Sequence, residues 1–122
     1  MSDQDLIEPW FDLLVQMIER SNYNLGHILK QRSKRYASKD AFKLLDKGNL
    51  KVLTYDALWS LITEVGRSLS QLDINQKTPT IGILSHNQLN GVLIDLACLS
   101  FGYRIIPLPL NASPHQISYI VE

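Results

Sequence analysis

The chain has 122 residues, 45% hydrophobic and 20% charged, a size that allows one domain with a modest core. Its 12 Lys and Arg balance 12 Asp and Glu, which argues against nucleic acid as the main partner, because phosphate binding draws on a basic excess. The single cysteine, Cys98, excludes an internal disulfide framework. No run approaches the roughly 20 apolar residues of a membrane span, and the start lacks the basic and apolar regions of a secretory signal.

The first predicted element is an amphipathic helix over about 6–20. Leu6, Ile7, Trp10, Phe11, Leu14, Met17 and Ile18 share one stripe, and Pro9 is placed in the first turn, where proline is tolerated. Packing on the domain is the expected role of the stripe. A partner contact is the alternative. A membrane-surface helix fits less well, because the polar face is acidic. Asn24 then caps a second helix to about Tyr36, with Leu25, Ile28 and Leu29 inward and His27 at the boundary. Ala41–Leu45 and Leu50–Leu53 are predicted as a hairpin around Asp46-Lys47-Gly48-Asn49.

Thr54 caps a long helix from Tyr55 to about Leu72, in which Leu58, Leu61, Ile62, Val65, Leu69 and Leu72 keep the helical period. Gly66 inside it costs about 1 kcal/mol against alanine, and close backbone packing is the usual reason for such a glycine. Asp73–Pro79 is predicted as a loop. Ile81–Leu84 is a short apolar strand expected to be buried on both faces. After a polar break at Ser85-His86-Asn87, with Asn87 or Ser85 as cap, a broadly apolar helix runs to Gly102 and a second strand covers Arg104–Leu108. Two strands joined through a helix of this length should be parallel with a right-handed crossover. At the end, Ser113, Pro114 and Gln116 form a capping box for a last helix through Tyr119 and Ile120.

Charges are segregated along the chain. Asp3, Asp5, Glu8, Asp12 and Glu19 make the start acidic. Lys30, Arg32, Lys34, Arg35, Lys39, Lys43, Lys47 and Lys51 make the next part basic. Solvated helix and hairpin faces explain this, with a patch facing an anionic partner as the alternative. Cys98 lies in the most apolar helix and is expected to be a buried structural thiol rather than a nucleophile. His86 and Asn87 follow the first parallel strand, where ligands often bind in open α/β sheets. No serine, acid or cysteine is spaced with His86 as a triad, and His115 is expected to face solvent.

The order of these elements, and two strings within them, resemble the start of an adenylate-forming acyl-CoA synthetase. Leu53-Thr-Tyr-Asp-Ala-Leu58 resembles the family's first core motif, and Leu99–Leu110 its second, with Gly102, Pro107 and Leu108 on the matching positions. Asn87 matches an asparagine common after the first buried strand. Asp95–Leu99 is similar to the branch acting on fatty acids, and Ser113–Glu122 to the helix that follows. Pro109 departs from the aspartate many members carry there, which blurs assignment to the amino-acid-activating branch. The likeness covers about residues 25–122 and gives residues 1–24 no role.

The resemblance implies an α/β fold, with mostly parallel strands, flanking helices and an N-terminal β-hairpin, as a partial N-terminal subdomain. It divides the chain into a helix extension (1–24) and the first part of an AMP-binding domain (25–122). It implies a cytoplasmic parent that activates a fatty or related acid with ATP, Mg²⁺ and CoA. The family supplies phosphate contacts through a Ser/Thr/Gly-rich loop with lysine. No such loop, P-loop or dinucleotide fingerprint occurs here. The expectation is therefore a truncated piece without catalytic, cofactor-binding or metal residues of its own. Its expected partners are the rest of the enzyme and, through exposed apolar helices, a second copy. A complete, non-catalytic α/β module acting through the Trp10–Phe11 helix is the competing expectation, and a free-standing nucleotide-binding domain a third.

Overall fold

The computed structural model describes residues 3–72 and 79–122, and side chains from residue 9 onward within that range. The element order is α1 (Asp3–Ser21), α2 (Leu25–Arg35), β1 (Asp40–Asp46), β2 (Asn49–Thr54), α3 (Tyr55–Ser70), β3 (Thr80–Ile83), α4 (Leu89–Phe101), β4 (Arg104–Pro107) and α5 (Pro114–Val121). Most of the predicted Asp73–Pro79 loop, and the Leu6 and Ile7 side chains of the predicted stripe, lie outside the described residues.

The core is helical. Leu58 and Ile62 on α3 meet Leu93 and Ala97 on α4, and Leu53 closes the cluster from β2. Two glycines set how near the helices come. A methyl group on Gly26 would sit 2.9 Å from Ser100 Cβ and carbonyl oxygen, so α2 crosses α4 almost backbone to backbone. A methyl group on Gly66 would run into the Phe101 ring. The expected packing reason for Gly66 therefore holds.

The strands form two separate pairs. β1 and β2 are antiparallel, with Lys43 opposite Val52, Leu45 opposite Leu50 and a bulge near Asp40. The turn between them has both central residues, Lys47 (φ 48) and Gly48 (φ 82), in the left-handed region, as a two-residue hairpin turn requires. β3 and β4 are parallel, Ile81 opposite Ile105, with α4 as the crossover. Leu108 N–H extends the pairing to the Ile83 carbonyl at 2.7 Å.

Three local expectations are corrected. β3 is not buried on both faces. Ile81 and Ile83 are half-buried while Thr80, Gly82 and Leu84 are exposed, because a pair of strands covered by α4 on one side leaves its other side open. Neither Asn87 nor Ser85 caps α4. Gln88 is the cap residue and makes no side-chain bond to the helix. The Ser85 hydroxyl donates instead to the His86 carbonyl at 2.8 Å. Pro9 sits inside α1 rather than in its first turn, because the helix starts at Asp3.

The other caps form as expected. Asn24 Oδ1 accepts from His27 N–H, and His27 Nδ1 accepts from Asn24 N–H. Thr54 Oγ1 accepts from Ala57 N–H. Gly102 takes the left-handed conformation at the end of α4 (φ 81). Ser113 and Gln116 exchange bonds at the start of α5, with Pro114 behind the cap.

The largest departure concerns α1. Every residue of this helix from Pro9 onward is exposed, including Trp10 (73%), Phe11 (63%), Leu14 and Met17. The stripe does not pack on the domain. A defined corner follows. Asn22 is left-handed (φ 52), and Tyr23 N–H reaches back to the Ile18 carbonyl, which ends α1 as glycine or asparagine commonly does. Tyr23 stacks on His27 with ring centroids 5.2 Å apart and donates its hydroxyl to Gln31. Asn24 Nδ2 donates to the Ser100 carbonyl at 3.3 Å and so ties the corner to α4.

Candidate functional site

The β3–α4–β4 unit leaves a cleft of about 340 Å³ at the C-terminal ends of its two strands. Such ends are open because the chain turns away there, and open α/β sheets commonly take ligands at this place. Ile83, Ile105 and Pro107 form the apolar floor; Ser85, His86, Asn87 and Gln88 form the polar rim. Gly91 lets that rim lie against the first turn of α4, since a methyl group there would come within 3.0 Å of Ser85 Oγ. Asp95, one helical turn further, puts a carboxylate on the same wall.

His86 and Asn87, singled out in the sequence, are thus brought together at this rim, both exposed. Asp95 was missed as a lining residue. Its spacing from Gly91, four residues along one helix face, is the signal that could have found it. The chemistry available here is limited. The Ser85 hydroxyl donates to a backbone carbonyl and not to an imidazole, so no activated nucleophile is assembled. The wall holds a carboxylate and no lysine or arginine, which does not suit a triphosphate.

The other marked residues lie apart. Cys98 is fully buried on α4, and burial, reinforced by the Asp95 charge, pushes its thiol above the usual range, away from the reactive thiolate. His115 is exposed and lines a second cleft of about 430 Å³ with Pro109, Asn111, Tyr119 and Ile120. His27 belongs to the α2 cap. At the end of α2, Arg32, Arg35 and Lys39 gather over the Tyr36 ring at 5.4, 5.5 and 4.9 Å from its centroid. Each is a weak cation–π contact at an exposed site. Among the described residues the one ion pair is Lys43–Asp40 at 3.9 Å, so this basic cluster has no carboxylate on it. No group of three metal-ligating side chains comes together among the described residues.

The architecture and the two core strings can now be set against known proteins. The model of the family described as AMP-binding enzyme matches residues 29–122. The chain belongs to the AMP-binding enzyme family. Solved structures agree on the fold. A fatty acyl CoA synthetase of Mycobacterium tuberculosis superposes with a TM-score of 0.69 at 19% identity, over 80% of this chain and 19% of that one. The N-terminal subdomain of Klebsiella oxytoca NpsA gives 0.67 at 17% identity, over 80% of this chain and 24% of that one. A fatty acyl-adenylate ligase from L. pneumophila, solved with acyl adenylate and pyrophosphate, gives 0.63 at 19% identity, over 70% and 15%. Comparison with curated proteins returns no match. The chain therefore spans about a quarter or less of these solved relatives, and its fold is part of the N-terminal region of adenylate-forming enzymes. The family match begins after α1 and the first turn of α2. No described helix is long and apolar enough to cross a membrane.

Proposed function

We propose that this AMP-binding family chain is the N-terminal portion of an ATP-dependent acid–thiol ligase that forms an acyl-adenylate from a fatty acid and passes the acyl group to CoA. The observation that carries this reading is the family match over residues 29–122, which takes in both core strings. The fatty acid preference is supported by the Asp95–Leu99 string and by relatives described as fatty acyl ligases. ATP, Mg²⁺ and CoA belong to the parent reaction, in which a metal and positive side chains would neutralise the phosphates. The cleft at β3 carries Asp95 and no lysine or arginine, which does not suit the phosphates of ATP. In this reading the chain supplies scaffold, the parent is cytoplasmic, and the rest of the parent covers Leu110, Tyr119 and Ile120, which are exposed here.

The chain alone is inactive in this account. Incubation with ATP, Mg²⁺, a fatty acid and CoA should release no pyrophosphate above blank, and release would overturn it. In the coding sequence, a frame that continues into a Ser/Thr/Gly-rich segment with lysine is expected. A second reading, a non-catalytic module that binds through α1, is favoured by the uncovered Trp10–Phe11 stripe. A stop codon after residue 122 would favour that module.

A further inference from the structure

Residues 25–54 hold eight lysines and arginines against two aspartates, in a chain with no net charge. The fold and the β3 cleft make no use of that excess. Its densest part is the last turn of α2, with Arg32, Lys34 and Arg35. Together with Gln31 these side chains line a cleft of about 420 Å³. Cations suit a helix C-terminus, which explains their sign. It does not explain what they hold. Tyr36 N–H donates to the Arg32 carbonyl at 2.8 Å, and Lys39 N–H to the Tyr36 carbonyl at 2.9 Å, so main-chain donors meet these carbonyls. Among the described residues the one ion pair is Lys43–Asp40, so no carboxylate holds Arg32, Lys34 or Arg35.

The lining is made of donors. Arginine and lysine carry N–H groups and no acceptor. Gln31 has both, but its Oε1 accepts the Tyr23 hydroxyl at 2.8 Å, which leaves the NH₂ as its free end. The arginines are also pre-arranged. Arg32 and Arg35 both lie against the Tyr36 ring, at 5.4 and 5.5 Å from its centroid, and Lys39 reaches 4.9 Å from the turn beyond the helix. A stacked guanidinium has less freedom left to lose when its planar fork takes a ligand. Three like charges gathered at one ring repel each other, and an anion among them relieves that repulsion.

We infer that the end of α2 binds a phosphate monoester, with Arg32 and Arg35 forking its oxygens and Lys34 and Lys39 adding charge. A phosphate monoester meets each feature of the cleft. It offers three strong acceptor oxygens to a lining of donors, and close to two negative charges at neutral pH to a cluster of cations. A carboxylate brings one charge and two oxygens. The same group occurs free in solution and as a lipid headgroup, and the test separates these sources. The inference rests on these side chains alone and holds or fails independently of the ligase reading.

The test adds two probes to the whole chain, without ATP or fatty acid. One is glycerol 3-phosphate. The other is phosphatidylcholine vesicles with and without phosphatidic acid, whose headgroup is the same monoester. Nitrogen–proton NMR spectra should show the Arg32 and Arg35 side-chain Nε–H signals moving with the Tyr36 amide, and calorimetry gives the affinity. Binding of glycerol 3-phosphate supports a free ligand; binding to phosphatidic acid vesicles alone supports a headgroup at a surface. Arg32→Gln and Arg35→Gln should each weaken binding about tenfold, as the loss of charge-assisted hydrogen bonds does. Arg35→Lys keeps the charge, loses the fork and should also weaken it. Lys47→Gln removes the same charge from the far end of the hairpin, and should change affinity less than about twofold at 0.15 M salt, where the Debye length is about 8 Å. Each of these residues except Lys47 lies on or beside the cleft and all are exposed, so circular dichroism should not change. Affinity should fall as the pH drops below about 6, where the monoester takes up a proton. Failure of both probes to bind would overturn the proposal. Equal losses for Arg35→Gln and Lys47→Gln would show a diffuse field in place of a site and would overturn it too. An Arg35→Lys variant that binds like the wild type would refute the forked contact.

Discussion

α1 and α3 are similar helices with opposite fates. Both carry apolar residues at helical spacing over four or more turns. α3 buries Leu58, Ile62 and Gly66 against α4 and β2. From Pro9 onward every residue of α1 stays in water. The difference lies in what meets each stripe. Gly66 on α3 and Gly26 on α2 let α4 approach closely, whereas the described side chains of α1 are left exposed. Periodicity therefore names the face of a helix that prefers to be dry; only the neighbouring geometry says whether anything dries it.

The contrast can be broken at several points. The largest effect is expected for Ile62→Ala, which empties a fully buried side chain. It should cost about 2–5 kcal/mol in urea unfolding. Leu14→Ala on α1, measured under conditions where the chain is monomeric, should change stability by no more than about 0.5 kcal/mol. Equal losses at the two sites would mean that α1 is packed after all. A smaller effect is expected for glycine substitutions. Gly26→Ala meets backbone atoms of Ser100 that cannot yield, and should cost about 1–3 kcal/mol despite the better helix propensity of alanine. Gly66→Ala meets only the Phe101 ring, which is exposed enough to swing aside, so its loss should be the smaller of the two. The reverse order in thermal melts would refute that account of the crossings.

The smallest effect concerns Cys98. Its thiol is held above the usual range by burial and then by Asp95. A raised value in the folded state means the unfolded chain gives up its proton first. The contribution is therefore fully present below the ordinary thiol pKa of about 8.5 and is lost as pH rises beyond it. Cys98→Ala should flatten that alkaline decline. A thiol reagent should label Cys98 only on unfolding, whereas Leu14→Cys on α1 should react at once. Rapid labelling of Cys98 in the native state would contradict its burial.

Local chemistry was legible wherever one or two residues decide the conformation. Ser113 with Gln116, Asn24 with its helix, Gly102 at a helix end and Gly48 in the turn all behave as their residue types dictate, because a cap or a left-handed turn is settled within a few residues. The family was legible too, since the Leu53–Leu58 string records how a strand feeds a helix and the Leu99–Leu110 string how a helix feeds a strand. What was not legible depends on distant parts. The Ser85 hydroxyl could bond either the α4 amides or the adjacent carbonyl, and the approach of α4 through Gly91 is part of that local geometry. Burial of β3 depends on a cover for its second face, and the stripe of α1 on a seat. At the candidate cleft, sequence identified His86 and Asn87 from the end of a strand but missed Asp95, whose place on the wall comes from the crossing of α4 over the sheet.

The bond from Asn24 to Ser100 joins residues 76 apart in the chain. That distance has a meaning during synthesis. At about 5–20 residues per second, the partner of Asn24 is made roughly 4–15 s after Asn24 itself. Until then α2 has no α4 to cross, and Gly26 has no backbone to lie against. The cap of α2 can form at once, because Asn24 and His27 lie three residues apart, but its tie to α4 waits until Ser100 has been made.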